Sequence, residues 1–207
     1  MPRVDDFLQA LALAREKLST RDPEEICRLA GAEWAAAAQG GQIRLPFYTK
    51  QVAVTFPAGE VAYAGEAGTL SLQEQGLILH YLLGVEDRPL AGELITFREI
   101  PSGEFYYQPF LNRALVPLVK TFGTDHASFL RAGAPLGGRT HALGDVALTF
   151  SPFPMTPLTL ILWKGDEEFP PEGTILFDRT IKYFLSGEDI AFLAGSVVYK
   201  LMALSRS

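Results

Sequence analysis

Three consecutive carboxylates, Asp166, Glu167 and Glu168, stand between Gly165 and the pair Pro170 and Pro171, with Trp163 and Phe169 on either side. Carboxylates gathered at a strand end can hold a hard cation, meet a counter-charge or share a proton, and loops on a rigid scaffold are where such sites are built. In an extended loop Asp166 and Glu168 point to one side and Glu167 to the other, so the first two are the pair able to converge. The same residues also describe a solvated acidic turn, because runs of charge usually lie at the surface. The spacing is not that of an EF-hand. Asp178 follows the next apolar run and either joins the carboxylates or caps the segment after it.

The remaining reactive side chains are less organised. His80, His126 and His141 stand in no metal-ligand spacing, and His80 borders an apolar helical stripe, where a satisfied, half-buried histidine is expected. Cys27 falls beside the apolar face of a helix, as an inert buried thiol does. Gly133 to Gly144, with Arg131 and Arg139 nearby, is rich enough in glycine to cradle an anion, yet it matches neither the Walker pattern nor GxGxxG and also reads as a turn. There is no GxSxG elbow for a serine nucleophile.

Several elements must position these residues. Val4, Phe7, Leu8, Leu11, Ala14 and Leu18 recur at helical spacing. Asp22, Pro23, Glu24 and Glu25 then open a second helix, expected to bury Ile26, Leu29, Ala30, Trp34 and Ala37 and to stop at Gly40 and Gly41. Alternation from Ile43 to Phe56 predicts two strands. Ser71 with Glu74, and Ser186 with Asp189, form capping-box patterns ahead of a third and a final helix. Strands are expected around Val146 to Phe150, Leu158 to Trp163 and Thr174 to Phe177, with Trp163 largely buried. Leu111, Leu115, Leu118 and Phe122 form a helical stripe that Pro117 should bend, and Asp125 to Arg131 is a short helix.

The segment from Leu94 to Tyr107 reads as a hairpin, with a strand to Ile100, a turn at Pro101, Ser102 and Gly103, and a returning strand from Phe105. It would display Arg98, Glu99, Glu104, Tyr106 and Tyr107. If it lies beside the acidic loop, Arg98 is the counter-charge for Asp166 or Glu168, and the aromatics form a wall for a flat ligand. The candidate ligand-binding residues are therefore Arg98, Glu99, Tyr106, Trp163, Asp166, Glu168 and Asp178.

Strands dominate the later chain without regular alternation with helices, which predicts an α+β fold with a largely antiparallel sheet. The 207 residues are expected to form one domain, a helical hairpin of residues 1–41 packing on a core of residues 42–207. A net charge of -6 with scattered Lys and Arg makes nucleic acid an unexpected partner. No run approaches the ~20 apolar residues of a membrane span, and no signal-peptide core is present. One cysteine cannot form an internal disulfide, so a reducing cytoplasm is the expected compartment.

The blocks Ile95-Thr96-Phe97-Arg98-Glu99-Ile100-Pro101-Ser102-Gly103, Leu136-Gly137-Gly138, Gly144-Asp145 and Trp163 to Pro171 with Leu176-Phe177-Asp178 resemble, in that order, the domain of unknown function family 3786. The likeness spans roughly Ser71 to Leu204, and its last block is the most specific. The resemblance implies a setting in anaerobic bacteria and archaea, in redox or one-carbon metabolism. Some relatives are fused to a four-cysteine iron-sulfur domain of the corrinoid-protein type. This chain lacks that domain, and Cys27 cannot replace it. The resemblance therefore implies an iron-sulfur or corrinoid protein, or a small molecule, as the partner of a cytoplasmic accessory or binding protein. The alternative expectation is an enzyme, a hydrolase or lyase using Asp166 and Glu168, with His80, around a divalent cation.

Overall fold

The computed structural model describes residues 4–65 and 67–206. It is an α+β protein whose strands fall into two antiparallel sheets. The chain divides into two compact units, one of residues 1–88, 153–155 and 183–185 and one of residues 89–152, 156–182 and 186–207. Among the described residues no helix is long and apolar enough to cross a membrane.

In the first unit α1 (Val4–Ser19) buries Leu11, Ala14 and Leu18 and packs against α3 (Leu72–Gly84). Asp22 caps α2 (Pro23–Ala30) by accepting from the Glu24 amide. The sheet orders β1 (Glu33–Ala36), β2 (Gly41–Phe47), β3 (Lys50–Phe56) and β4 (Val61–Tyr63) in sequence. The second helix is shorter than its spacing predicts. Gly31 at φ +66 takes the left-handed position that ends a helix, and its amide donates to the Cys27 carbonyl. Trp34 consequently lies in β1 opposite Ile43, edge-on to Phe56 at 5.7 Å. Ser71 and Glu74 form the full reciprocal capping box of α3. Inside the unit Tyr81 stacks on Phe153 at 4.4 Å and donates its hydroxyl to the Ala30 carbonyl.

The sheet of the second unit runs β5 (Leu94–Thr96), β9 (Glu172–Asp178), β8 (Leu158–Trp163), β7 (Val146–Phe150) and β6 (Arg139–Thr140). Here α8 (Gly187–Leu204), which follows the one-turn helix α7 (Ile181–Phe184), is the central helix, buried along most of its length. It packs on α4 (Gly103–Phe110), on the π turn Leu111–Leu115, on α5 (Val116–Phe122) and on α6 (His126–Gly133). Pro117 lacks the amide that would close the α-helical bond to Arg113, and the Val116 amide donates instead to Leu111, five residues back. That is how the bend expected at Pro117 is accommodated. The Gly133 to Gly144 stretch is built for close packing: a methyl at Gly133 would fall 2.3 Å from Leu148 Cδ1, and one at Gly138 2.8 Å from Phe150 Cε1.

The Leu94 to Tyr107 hairpin does not form. Only Leu94–Thr96 is a strand; a 3-10 turn follows at Phe97–Glu99, and α4 begins at Gly103. Two local features turn the chain. Glu99 reaches back to the Thr96 amide and hydroxyl at 2.8 and 2.9 Å, and Ser102 adopts a left-handed conformation at φ +63. Packing accompanies the change: with residues 103–110 helical, Phe110 stacks on Phe97 at 4.3 Å.

Candidate functional site: the groove of the β8–β9 loop

The β8–β9 loop is held by its own backbone. The Asp166 carboxylate accepts from the Glu168 and Phe169 amides, each at 2.8 Å, and the Asp166 amide donates to the Phe169 carbonyl at 2.9 Å. These bonds, led by that from Phe169, hold the Asp166 carboxyl below its ordinary pKa. At the loop entrance the Asp145 carboxylate accepts from the Lys164 amide at 2.7 Å. Gly165 permits the chain to close, since a methyl there would lie 2.6 Å from the Pro171 nitrogen and 2.7 Å from the Phe169 carbonyl oxygen.

This closure leaves an open groove of about 300 Å³ lined by residues 164–171 and Thr124. Its lining is apolar at Phe169, Pro170 and Pro171 and acidic at Asp166, Glu167 and Glu168. Lys164 is the one basic residue among the described residues that line it. Phe169 is 65% exposed. Trp163, expected in the core, is 39% exposed. The reason is its position: β7 reaches only as far as Leu162 on this side, so Trp163 has a single strand partner, Glu172, and lies over the turn at Gly144.

The expected site residues are dispersed, and only Trp163, Asp166 and Glu168 share this loop. Arg98 pairs with Glu104 at 3.4 Å and lies 4.0 Å over the Tyr107 ring, so its guanidinium serves α4 rather than the acidic loop. Glu99 is the Thr96 cap, and the Thr96 amide is the main cause of its lowered pKa. Tyr106 reaches Glu188 of α8 at 3.5 Å, and that carboxylate raises the phenol's pKa.

Asp178 stands at the opposite end of β9 from the loop, seven residues or about 20 Å of extended chain away. It is 3% exposed and accepts from the Ala91, Gly92 and Thr180 amides and the Thr180 hydroxyl. Burial pushes its pKa up, and the hydrogen bonds from Thr180, Ala91 and Gly92 outweigh burial, so the carboxyl sits below its usual value. It therefore stands apart from the acidic loop and ties the chain at Ala91 and Gly92 to the turn at Thr180. Cys27 is buried, and burial raises its thiol to about 11, so it is protonated at neutral pH.

Chemically, Asp166 has one carboxylate oxygen, Oδ1, turned onto the backbone, and Glu167 and Glu168 are exposed neighbours. Among the described residues no group of three or more His, Cys, Asp or Glu side chains is placed to hold a metal ion. The groove residue that sequence reasoning missed is Thr124. It arrives because Gly123 packs against Pro171, where a methyl would fall 2.9 Å from Pro171 Cβ. A glycine after a helical stripe was the only signal, and it does not name its neighbour.

A family model described as "Domain of unknown function (DUF3786)" matches residues 22–200 of the 207, so the chain belongs to that family. No curated protein matches the chain, and no solved structure does.

Proposed function

We propose that this member of the DUF3786 family is a binding protein, a cytoplasmic accessory of anaerobic redox or one-carbon metabolism that docks a partner protein through the β8–β9 loop. An iron-sulfur or corrinoid protein is the class of partner that the family likeness implies. One observation carries the docking reading: the loop is internally braced while its aromatic side chains stay in water. Trp163 and Phe169 are 39% and 65% exposed on a backbone locked by Asp166 and Asp145. Exposed aromatics on a preorganised loop make efficient anchors, because little ordering entropy is lost when they are covered. The divalent-cation enzyme has less support, since Asp166 already accepts two amides.

The test is a photo-crosslinking phenylalanine analogue placed at position 169 of the full chain in its native host, with the same analogue at the 54% exposed Tyr199 as a control. The expected result is a discrete adduct from position 169, absent from position 199, whose joined partner peptide is identified by mass spectrometry. No adduct, or the same adducts from both positions, overturns the reading.

A further inference from the structure

We propose that the segment received by the Phe169 groove is a basic, extended stretch of the partner protein, with a Lys or Arg side chain laid along Phe169 and Pro170 and its cationic head at Glu167 and Glu168. This rests on the docking reading above and specifies the chemistry of the partner.

The groove is lined by apolar side chains, Phe169, Pro170 and Pro171, next in the chain to the carboxylates Glu167 and Glu168. Lys and Arg have that division, an aliphatic stem and a charged tip. A cation over the face of an aromatic ring is attracted by the ring quadrupole, and Phe169 has a 65% exposed side chain to offer. The volume, about 300 Å³, lies at the lower limit for small-molecule sites, and the groove is open, which suits one side chain of a longer chain better than an enclosed ligand.

Charge selects the sign of the occupant. The lining carries three carboxylates, Asp166, Glu167 and Glu168, against one ammonium, Lys164, within a chain of net charge -6. An anionic segment would be repelled by these carboxylates and in approach, whereas a basic one is steered toward them. Because two loop amides already donate to Asp166 Oδ1, Glu167 and Glu168, which are exposed, are the carboxylates assigned to the cation.

The probe is an N-acetylated, C-amidated hexa-arginine peptide titrated into the full chain, followed by amide NMR shifts, with hexa-glutamate, propylamine and Mg²⁺ as comparators. The expected result is a set of shifts confined to residues 164–171 and Thr124. The double variant Glu167→Gln, Glu168→Gln should weaken the peptide by about tenfold, and Phe169→Ala should weaken it severalfold with the melting temperature unchanged. Shifts scattered over the acidic surface and indifferent to Phe169→Ala overturn the proposal. Equal shifts from propylamine or Mg²⁺ at the same concentration also overturn it, in favour of a small-cation site, and binding of hexa-glutamate reverses the sign argument. If the position 169 adduct forms but joins a segment without Lys or Arg, this inference fails while the docking reading stands.

Discussion

Asp166 and Phe169 hold each other at both ends: the Phe169 amide donates to the Asp166 carboxylate at 2.8 Å, and the Asp166 amide donates to the Phe169 carbonyl at 2.9 Å. The most conspicuous carboxylate of the acidic run is thus a brace for the aromatic beside it. Replacing Asp166 with Ala should leave the global fold in place and speed hydrogen exchange at the Glu168 and Phe169 amides by on the order of tenfold. The pH dependence has a definite sign. The folded pKa is lowered, so the brace persists above the ordinary Asp value of about 3.9 and is lost as pH falls through the lowered folded value. Amide shifts of Glu168 and Phe169 with a midpoint at or above the ordinary value would contradict this role.

Trp163 gives a stability prediction of the opposite kind. A buried large aromatic costs about 3–5 kcal/mol when cut to Ala, but Trp163 is 39% exposed, with its indole beside Gly144. Trp163→Ala should therefore cost less, roughly 2–3 kcal/mol, in proportion to the smaller area that folding removes from water. Urea denaturation of the variant measures it, and a full core-sized loss would place the indole inside.

The last helix starts where its cap residue stands. Ser186 Oγ accepts from the Asp189 amide at 3.1 Å and donates to the Asp189 carboxylate at 2.6 Å. Ser186→Ala should destabilise by roughly 0.5–2 kcal/mol, and Ser186→Gly by less, because glycine is itself tolerated at that position. Equal losses in thermal melts of the two variants would show that the hydroxyl is not what caps α8.

What could be read from the chain divides along local and non-local lines. Ser71 with Glu74, Asp22 with Pro23, and Ser186 with Asp189 are signals completed within four residues, and each marks a real helix start. Alternation placed β2 and β3, and short apolar runs placed β7, β8 and β9, for the same reason. The errors are of another type. Trp34 and Ala37 continue a helical period by coincidence, while the glycine at position 31 ends the helix. Residues 105–107 carry strand propensity, yet they lie in α4, where Phe110 stacks on Phe97. The acidic loop was visible as composition, but that Asp166 would face inward onto amides, or that Arg98 would settle on Glu104 and Tyr107, depends on chain geometry no spacing records.

Asp178 carries the sharpest energetic prediction. It closes β9 and, from a 3% exposed position, ties the chain at Ala91 and Gly92 to the turn at Thr180. Removing it orphans the Thr180 amide inside the fold, while the exposed Ala91 and Gly92 can turn to water, so Asp178→Ala should cost about 2 kcal/mol. Asp178→Asn should recover little, because an amide nitrogen in place of Oδ2 would face the Gly92 N–H, a donor against a donor. The carboxyl's folded pKa is lowered, so its contribution is complete above the ordinary carboxylate value and disappears as pH falls through the folded value. Urea melts of the natural protein and both variants should differ most at pH 7 and converge as the solution is acidified below pH ~3. Variants as stable as the natural protein at pH 7, or a gap that widens in acid, would show that Asp178 does not hold this corner of the sheet.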